Sequence, residues 1–96
     1  MTELIALITG ANKGIGFETA RQLGARGMTV LLGARDEPRG RAAEAALTAD
    51  NIHAHYVRLD VTDAKSARGA ADWIDTRYGR LDILVNNAGI ATHGGP

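Results

Sequence analysis

Three glycines follow the first apolar segment of the chain closely. Gly10, Gly14 and Gly16 come after the run at residues 4–9 with the spacing G-x-x-x-G-x-G, directly before a segment with helical periodicity. In such a loop the first glycine permits a tight turn, the second leaves space for a phosphate, and the third lets the helix pack closely. The helix N-terminus then offers N–H groups and the positive end of its dipole. A ligand-free glycine turn is the alternative, but the position between strand and helix favours nucleotide binding.

The basic residues near this loop bear on which nucleotide is bound. Lys13 lies inside the loop, and Arg35 and Arg39 follow a second apolar run at residues 28–32. An arginine at the end of the second strand pairs with the 2′-phosphate of NADP, whereas a carboxylate there bonds the ribose hydroxyls of NAD. A count of about twenty residues past the loop reaches Asp36, which favours NAD. A solvated Arg35 that pairs with Asp36 or Glu37 is a further alternative.

Two more polar segments follow later apolar runs. Asp60 and Val61 come directly after the third run, and Asn-Asn-Ala-Gly occupies residues 86–89 after the fourth. Asp60 is either a ligand-binding carboxylate or the cap of the next helix, although Thr62 and Asp63 are better placed to cap it. Asn-Asn-Ala-Gly is either a plain turn or a site where the backbone approaches a ligand.

Hydrophobic periodicity places these segments on alternating strands and helices. The predicted strands are residues 4–9, 28–32, 53–59 and 83–85, and the predicted helices are residues 15–26, 38–49 and 64–78. Almost wholly apolar strands are typical of parallel sheets covered on both faces. This β-α-β-α-β-α-β order predicts an α/β fold of the Rossmann type, a doubly wound parallel sheet with strand order 3-2-1-4. Ligands bind such sheets where the strand order reverses, here between the first and fourth strands.

Three of these segments together resemble the hallmarks of the short-chain dehydrogenase/reductase family. They are Thr-Gly-Ala-Asn-Lys-Gly-Ile-Gly at residues 9–16, Leu-Asp-Val at 59–61 and Asn-Asn-Ala-Gly at 86–89. They occur in the family's order and on the expected elements, and the resemblance covers nearly the whole chain. Residues 11–14 and 34–36 are most similar to the NADPH-dependent carbonyl reductases.

The resemblance implies that the cofactor is NADP(H). In the family the ribose-binding acid stands at the tip of the second strand, a position that Ala34 occupies here, and Arg35 matches the arginine of NADP-preferring members. It also implies that Asp60 contacts the adenine amino group, that Asn87 lies nearest the ligand and that Asn86 is mainly structural. The expected cofactor-binding residues are Gly10, Asn12, Lys13, Gly14, Ile15, Gly16, Arg35, Arg39, Asp60, Val61, Asn87, Ala88 and Gly89.

The family's catalytic residues have no counterpart in the sequence. The family uses Tyr-x-x-x-Lys with an upstream serine to protonate a carbonyl oxygen during hydride transfer, and no Tyr-x-x-x-Lys occurs in the 96 residues. We therefore expect a partial NAD(P)-binding domain over residues 1–96, inactive alone, from an enzyme that reduces a ketone or aldehyde with NADPH. The alternative is a non-catalytic NADP(H)-binding module or a degenerate paralogue. A methyltransferase, which has a related glycine loop, is a third candidate. It is disfavoured because it needs an acid at the tip of the second strand to bind the ribose of S-adenosylmethionine, and Ala34 and Arg35 stand there.

Composition narrows the remaining possibilities. The formal net charge is zero, the chain has no cysteine, and 45% of its residues are hydrophobic. Nucleic-acid and membrane partners are not expected because no basic excess or long apolar segment is present. Disulfide frameworks and thiolate metal sites are excluded. We expect a cytoplasmic protein without a metal site that acts on a small-molecule carbonyl substrate, with its oligomeric state left open. Its fourth strand would be an exposed apolar edge that promotes aggregation.

Overall fold

The computed structural model describes residues 3–87 and shows four strands alternating with three helices. The strands are β1 (Ile5–Thr9), β2 (Thr29–Ala34), β3 (Ala54–Arg58) and β4 (Ile83–Val85), and the helices are α1 (Gly14–Ala25), α2 (Glu37–Thr48) and α3 (Ala64–Tyr78). The strands form one sheet in the order β3-β2-β1-β4, and every neighbouring pair is parallel. The predicted Rossmann-type topology is therefore confirmed.

The sheet has helices on both faces, which is why its central strands are buried throughout. All the residues of β1 and β2 are buried. One core cluster joins alternate strand residues such as Ile8 and Leu32 to Ala20 of α1 and Leu47 of α2. The other joins the intervening strand residues to Ile74 of α3. The chain changes faces between β3 and β4, so the strand order reverses beside β1.

The second strand is longer than the sequence pattern predicts. β2 continues to Ala34, two residues beyond the predicted end at Leu32, and pairs there with Arg58 of β3. A Cβ at Gly33 would lie only 3.0 Å from the Leu59 side chain, so glycine avoids a close contact at this position of the strand. The extension makes Arg35 the first residue beyond the strand.

Helix α2 begins one residue before its predicted start, and its buried face differs from the predicted one. Asp36 caps it by accepting a hydrogen bond from the Arg39 N–H at 3.1 Å, so Gly40 lies well inside the helix. The buried residues are Gly40, Ala43 and Leu47, whereas Ala42 and Ala46 are exposed. Helical spacing in the sequence predicts Ala42, Ala43, Ala46 and Leu47 as the inner face. This prediction was wrong for Ala42 and Ala46, because alanine tolerates either environment and carries little directional signal.

Among residues 3–87, no helix is both long enough and apolar enough to span a membrane.

Candidate functional site

The glycine loop turns sharply off β1 at the carboxyl end of the sheet. Gly10 and Gly14 have φ angles of 61° and 63°, in the left-handed region that favours glycine. Between them, Ala11 is fully buried and its N–H donates to the Gly33 carbonyl at 3.2 Å. This bond ties the loop to β2, while Asn12 remains half-buried beside it. The loop is therefore held to the sheet on the β2 side of β1.

The N-terminus of α1 differs from the starts of the other two helices. Asp36 and Asp63 cap α2 and α3 with their carboxylates, whereas Lys13, the N-cap residue of α1, makes no side-chain capping bond. The first N–H groups of a helix have no acceptor within that helix. No carboxylate of α1 lies in its first turn, and Lys13 is exposed there. This end of α1 is therefore suited to an anion.

The space in front of this helix end is open. At Gly14, a Cβ would meet no atom of the described residues within 4 Å. The next residue, Ile15, is 76% exposed although its side chain is large and apolar. Neither residue packs against the core, so a bound molecule could contact both directly.

The loop after β4 meets the glycine loop across the end of β1. Asn87 Nδ2 donates to the Gly10 carbonyl at 3.2 Å, and the Thr9 hydroxyl donates to Asn86 Oδ1 at 3.1 Å. Gly16 lies against the same point, because a Cβ on it would stand 2.4 Å from the Gly10 oxygen and 2.7 Å from Asn87 Nδ2. These contacts tie the loop after β4 to the glycine loop, and both asparagines contribute to them. The predicted ligand contacts of Ala88 and Gly89 lie outside the described residues.

The carboxyl end of β2 presents an exposed cation, Arg35. Among the ion pairs of residues 3–87, none within 4.0 Å includes Arg35 or Lys13. The Asp36 carboxylate instead caps α2 and lies 3.7 Å from Arg39 Nε. The alternative in which Arg35 pairs with Asp36 or Glu37 therefore does not occur, and Glu37 lies 3.6 Å from Arg41 Nε instead. Asp36 caps α2 with the carboxylate that a preference for NAD would require at the ribose.

Asp60 lies directly after β3 in a turn of its own. Its Oδ1 accepts hydrogen bonds from the Thr62 hydroxyl at 2.7 Å and the Thr62 N–H at 3.0 Å. These bonds hold the pKa of the Asp60 carboxyl below its ordinary value, and the positive charges of Arg35 and Arg58 lower that pKa further. Asp63, rather than Asp60, caps α3 by accepting from the Lys65 N–H. Asp60 is thus an ionised, half-exposed acceptor, with Val61 exposed beside it.

An open cleft of about 430 Å³ borders the site on the α3 face of the sheet. Thr9, Val61 and Asn86 line it at the carboxyl ends of the strands, and Leu84 and Ile74 line its apolar interior. The cleft therefore runs from the junction of the two loops down between β4 and α3.

Two polar side chains that hold this site together were not singled out by sequence reasoning. Thr9 joins the end of β1 to Asn86, and Ser66 accepts a hydrogen bond from the Asp60 N–H at 2.9 Å. Ser66 stands at the third position of α3, where polar side chains commonly bond the chain before a helix. That position was a usable signal, whereas the Thr9 bond depends on strand pairing between residues far apart in sequence.

This sheet, with an uncapped helix at its reversal point, defines a dinucleotide-binding fold of the Rossmann type. The family model described as short chain dehydrogenase matches residues 4–96, so the chain belongs to that family. It is similar to carbonyl reductase (NADPH) 1 of Bos taurus, with 51% identity over 88 residues that cover 91% of this chain and 32% of the relative.

Solved structures show the same likeness. The menthone neomenthol reductase of Mentha piperita matches with a TM-score of 0.86 and 44% identity, over 91% of this chain and 32% of the reductase. A metagenomic short-chain oxidoreductase in complex with NADP matches with a TM-score of 0.82 and 37% identity, over 88% of this chain and 38% of the oxidoreductase. The chain therefore spans about a third of the length of the proteins it matches.

Proposed function

We propose that the chain binds NADP(H) and forms the cofactor-binding part of a reductase that acts on a ketone or aldehyde. The observation that carries this proposal is the uncapped N-terminus of α1, which opens beside Gly14 and the exposed Lys13. The relative named as an NADPH carbonyl reductase and the neighbour solved with NADP support the choice of cofactor. A small-molecule carbonyl compound is the expected substrate of the whole protein.

The residues present fit the pyrophosphate, the adenine and the second ribose of that cofactor. The backbone N–H groups of residues 14–16 would hold the pyrophosphate, with Gly10, Asn12 and Ile15 shaping the space around it. Asp60 and Val61 would receive the adenine. Asn87 lies next to the glycine loop, where the second ribose would pass, and Ala88 and Gly89 stay predicted contacts of that ribose.

The 2′-phosphate would lie between the glycine loop and the start of α2. Lys13 and Arg35 are both exposed there and have no ion pair among the described residues, so their positive charges are available. Arg39 lies 3.7 Å from Asp36 in an exposed pair. Exposed pairs of this kind contribute little free energy, so Arg39 can turn towards a phosphate at low cost.

The chemical step divides between the cofactor and the protein. NADPH, when bound, supplies a hydride to a carbonyl carbon. The described residues bind and orient it, and none of them is proposed to transfer a proton. Because the 96 residues contain no Tyr-x-x-x-Lys, we expect the isolated chain to bind NADPH without reducing a ketone. Oxidation of NADPH by the purified chain with a ketone present would contradict that expectation.

Titration of the chain with NADPH and with NADH tests the cofactor assignment. We expect NADPH to bind more tightly, because a charge-assisted phosphate contact changes affinity by about tenfold to a hundredfold. Arg35→Asp should weaken NADPH binding by a similar factor and leave NADH binding equal or stronger. Arg26→Asp, at the opposite end of α1, is the matched charge reversal and should change neither.

Two results would count against the proposal. Equal affinity of the wild-type chain for the two cofactors would show that the preference for NADP(H) is wrong. If a folded chain bound neither NADPH nor NADH, the proposal of a dinucleotide site itself would be wrong.

A further inference from the structure

Tyr56 connects the edge strand β3 to the last residue of β2. Its side chain is 8% exposed, and its hydroxyl donates to the Ala34 carbonyl at 3.0 Å. The same carbonyl already accepts the Leu59 N–H at 3.0 Å, which is the ordinary bond between the parallel strands. The peptide that joins Ala34 to Arg35 is thus held by two donors, and the side-chain donor is additional to the sheet.

The Tyr56 ring is also seated against α2. A Cβ on Gly40 would stand 2.2 Å from two ring carbons, so the absence of a side chain at Gly40 makes the space for the ring. The Arg41 guanidinium lies 5.3 Å from the ring centroid, and the Glu44 carboxylate accepts the Tyr56 N–H at 2.8 Å. One residue of β3 therefore determines how closely the first half of α2 approaches the sheet.

The Tyr56 hydroxyl remains a donor at neutral pH. Burial raises the pKa of this hydroxyl, and the negative charge of Glu37 raises it further. The hydroxyl consequently keeps its proton, and the bond to the Ala34 carbonyl persists throughout the pH range in which nucleotides are commonly titrated.

We propose that Tyr56 is a positioning residue that determines the preference for a 2′-phosphate. Its hydroxyl fixes the peptide from which Arg35 leaves the sheet, and its ring fixes the start of α2, which carries Arg39. The inference rests on the proposed function, because it concerns the same NADP(H) site. Tyr56 does not contact the ligand, and it acts through the two arginines.

The substitution Tyr56→Phe separates positioning from packing. Phenylalanine keeps the ring against Gly40, and the Ala34 carbonyl keeps its bond from the Leu59 N–H, so no buried polar group loses its last partner. What is lost is the second constraint on the Ala34–Arg35 peptide. A ligand with a 2′-phosphate depends on that constraint, whereas a ligand without one depends on the glycine loop and the adenine contacts.

The probes are adenosine 2′,5′-bisphosphate and 5′-AMP, which differ only in the 2′-phosphate. Their dissociation constants are measured by calorimetry for the wild-type chain and for Tyr56→Phe. We expect the preference for the bisphosphate to fall by about threefold to tenfold, the effect of one lost hydrogen bond, with 5′-AMP affinity unchanged. In an Arg35→Ala background, Tyr56→Phe should change the preference much less.

Thr29→Val is the matched control. Thr29 lies at the other end of β2, is equally buried, and donates its hydroxyl to the Glu3 carboxylate. Loss of the Thr29 hydroxyl should lower the melting temperature, as loss of the Tyr56 hydroxyl should. Thr29→Val should nevertheless leave the preference for the bisphosphate unchanged.

The outcomes distinguish this inference from the proposed function. If the wild-type chain binds the two nucleotides equally, the proposed NADP(H) site is wrong. If the wild-type chain prefers the bisphosphate and Tyr56→Phe keeps that preference, Tyr56 only packs and the inference is overturned. Equal weakening of both ligands, or the same change in Thr29→Val, also overturns it. Circular dichroism confirms that each variant is folded, and the Arg35→Ala series provides a second, independent comparison.

Discussion

Gly16→Ala is expected to disturb the junction of the two loops more than any other single methyl group. The added Cβ would stand 2.4 Å from the Gly10 oxygen, 3.0 Å from the Gly10 carbonyl carbon and 2.7 Å from Asn87 Nδ2. Only the asparagine can move easily, since the carbonyl group belongs to a left-handed turn at the end of β1. Either the turn shifts or α1 moves away from the sheet.

The expected cost follows from two destabilising effects and one that opposes them. Overpacking a close contact destabilises by about 1–3 kcal/mol, and displacement of the Asn87 amide removes a hydrogen bond of about 1 kcal/mol. Alanine favours a helix over glycine by about 1 kcal/mol, which partly offsets the loss. The net expectation is a destabilisation of about 2 kcal/mol, together with weaker NADPH binding because both loops move.

Urea denaturation followed by circular dichroism measures this change, with Gly69→Ala as the matched variant. Gly69 lies in α3, and a Cβ there would meet no atom of the described residues within 4 Å. Only the helix-forming effect of alanine remains, so Gly69→Ala should stabilise by about 0.5–1 kcal/mol. If Gly16→Ala were as stable as the wild-type chain while Gly69→Ala gained stability as expected, the packing argument would be refuted.

Three other perturbations have expected outcomes. Asp63→Ala removes the cap of α3 and should lower the free energy of unfolding by about 1 kcal/mol in urea titrations. Asp82 accepts the Ile5 N–H at 2.8 Å, which lowers its pKa below the ordinary 3.8. The stabilisation by the Asp82 carboxylate is therefore complete above pH 3.8 and is lost as the pH falls through the lower pKa of the folded state. The difference in the free energy of unfolding between the wild-type chain and Asp82→Ala should consequently shrink in acid, which denaturation at several pH values measures. Leu84 is 60% exposed on the edge strand β4, and Leu84→Lys should reduce self-association in sedimentation velocity experiments.

The overall topology could be predicted because it depends on backbone chemistry and on local composition. Continuous apolar runs indicated buried parallel strands, and each helical segment between them was long enough for a crossover. The boundaries were less predictable. β2 extends to Ala34 because β3 pairs with it that far, and α2 turns its Gly40 face inward because the Tyr56 ring occupies the space beside it. Both facts depend on contacts between elements.

The candidate site shows the same division. The glycine loop was recognisable because left-handed turns and close approaches restrict the residue type, and the φ angles of Gly10 and Gly14 agree with that reasoning. The bonds from Thr9 to Asn86 and from Tyr56 to Ala34 were not recognisable. A threonine or tyrosine in a strand has many possible partners, and strand register alone decides which one it meets.

The residues at the reversal point fall into two groups with different physical explanations. Gly10, Gly16 and Asn87 contact one another, so the packing of the two loops accounts for their identities without any ligand. Lys13 and Ile15 have no such explanation, since both are exposed, Lys13 does not cap the helix and Ile15 has a large apolar side chain. A free protein gains nothing from presenting an isoleucine and an uncapped helix end to water, whereas a bound phosphate and its nucleotide would cover both. Substitutions in the first group should therefore affect stability and binding together, and substitutions of Lys13 and Ile15 should affect binding alone.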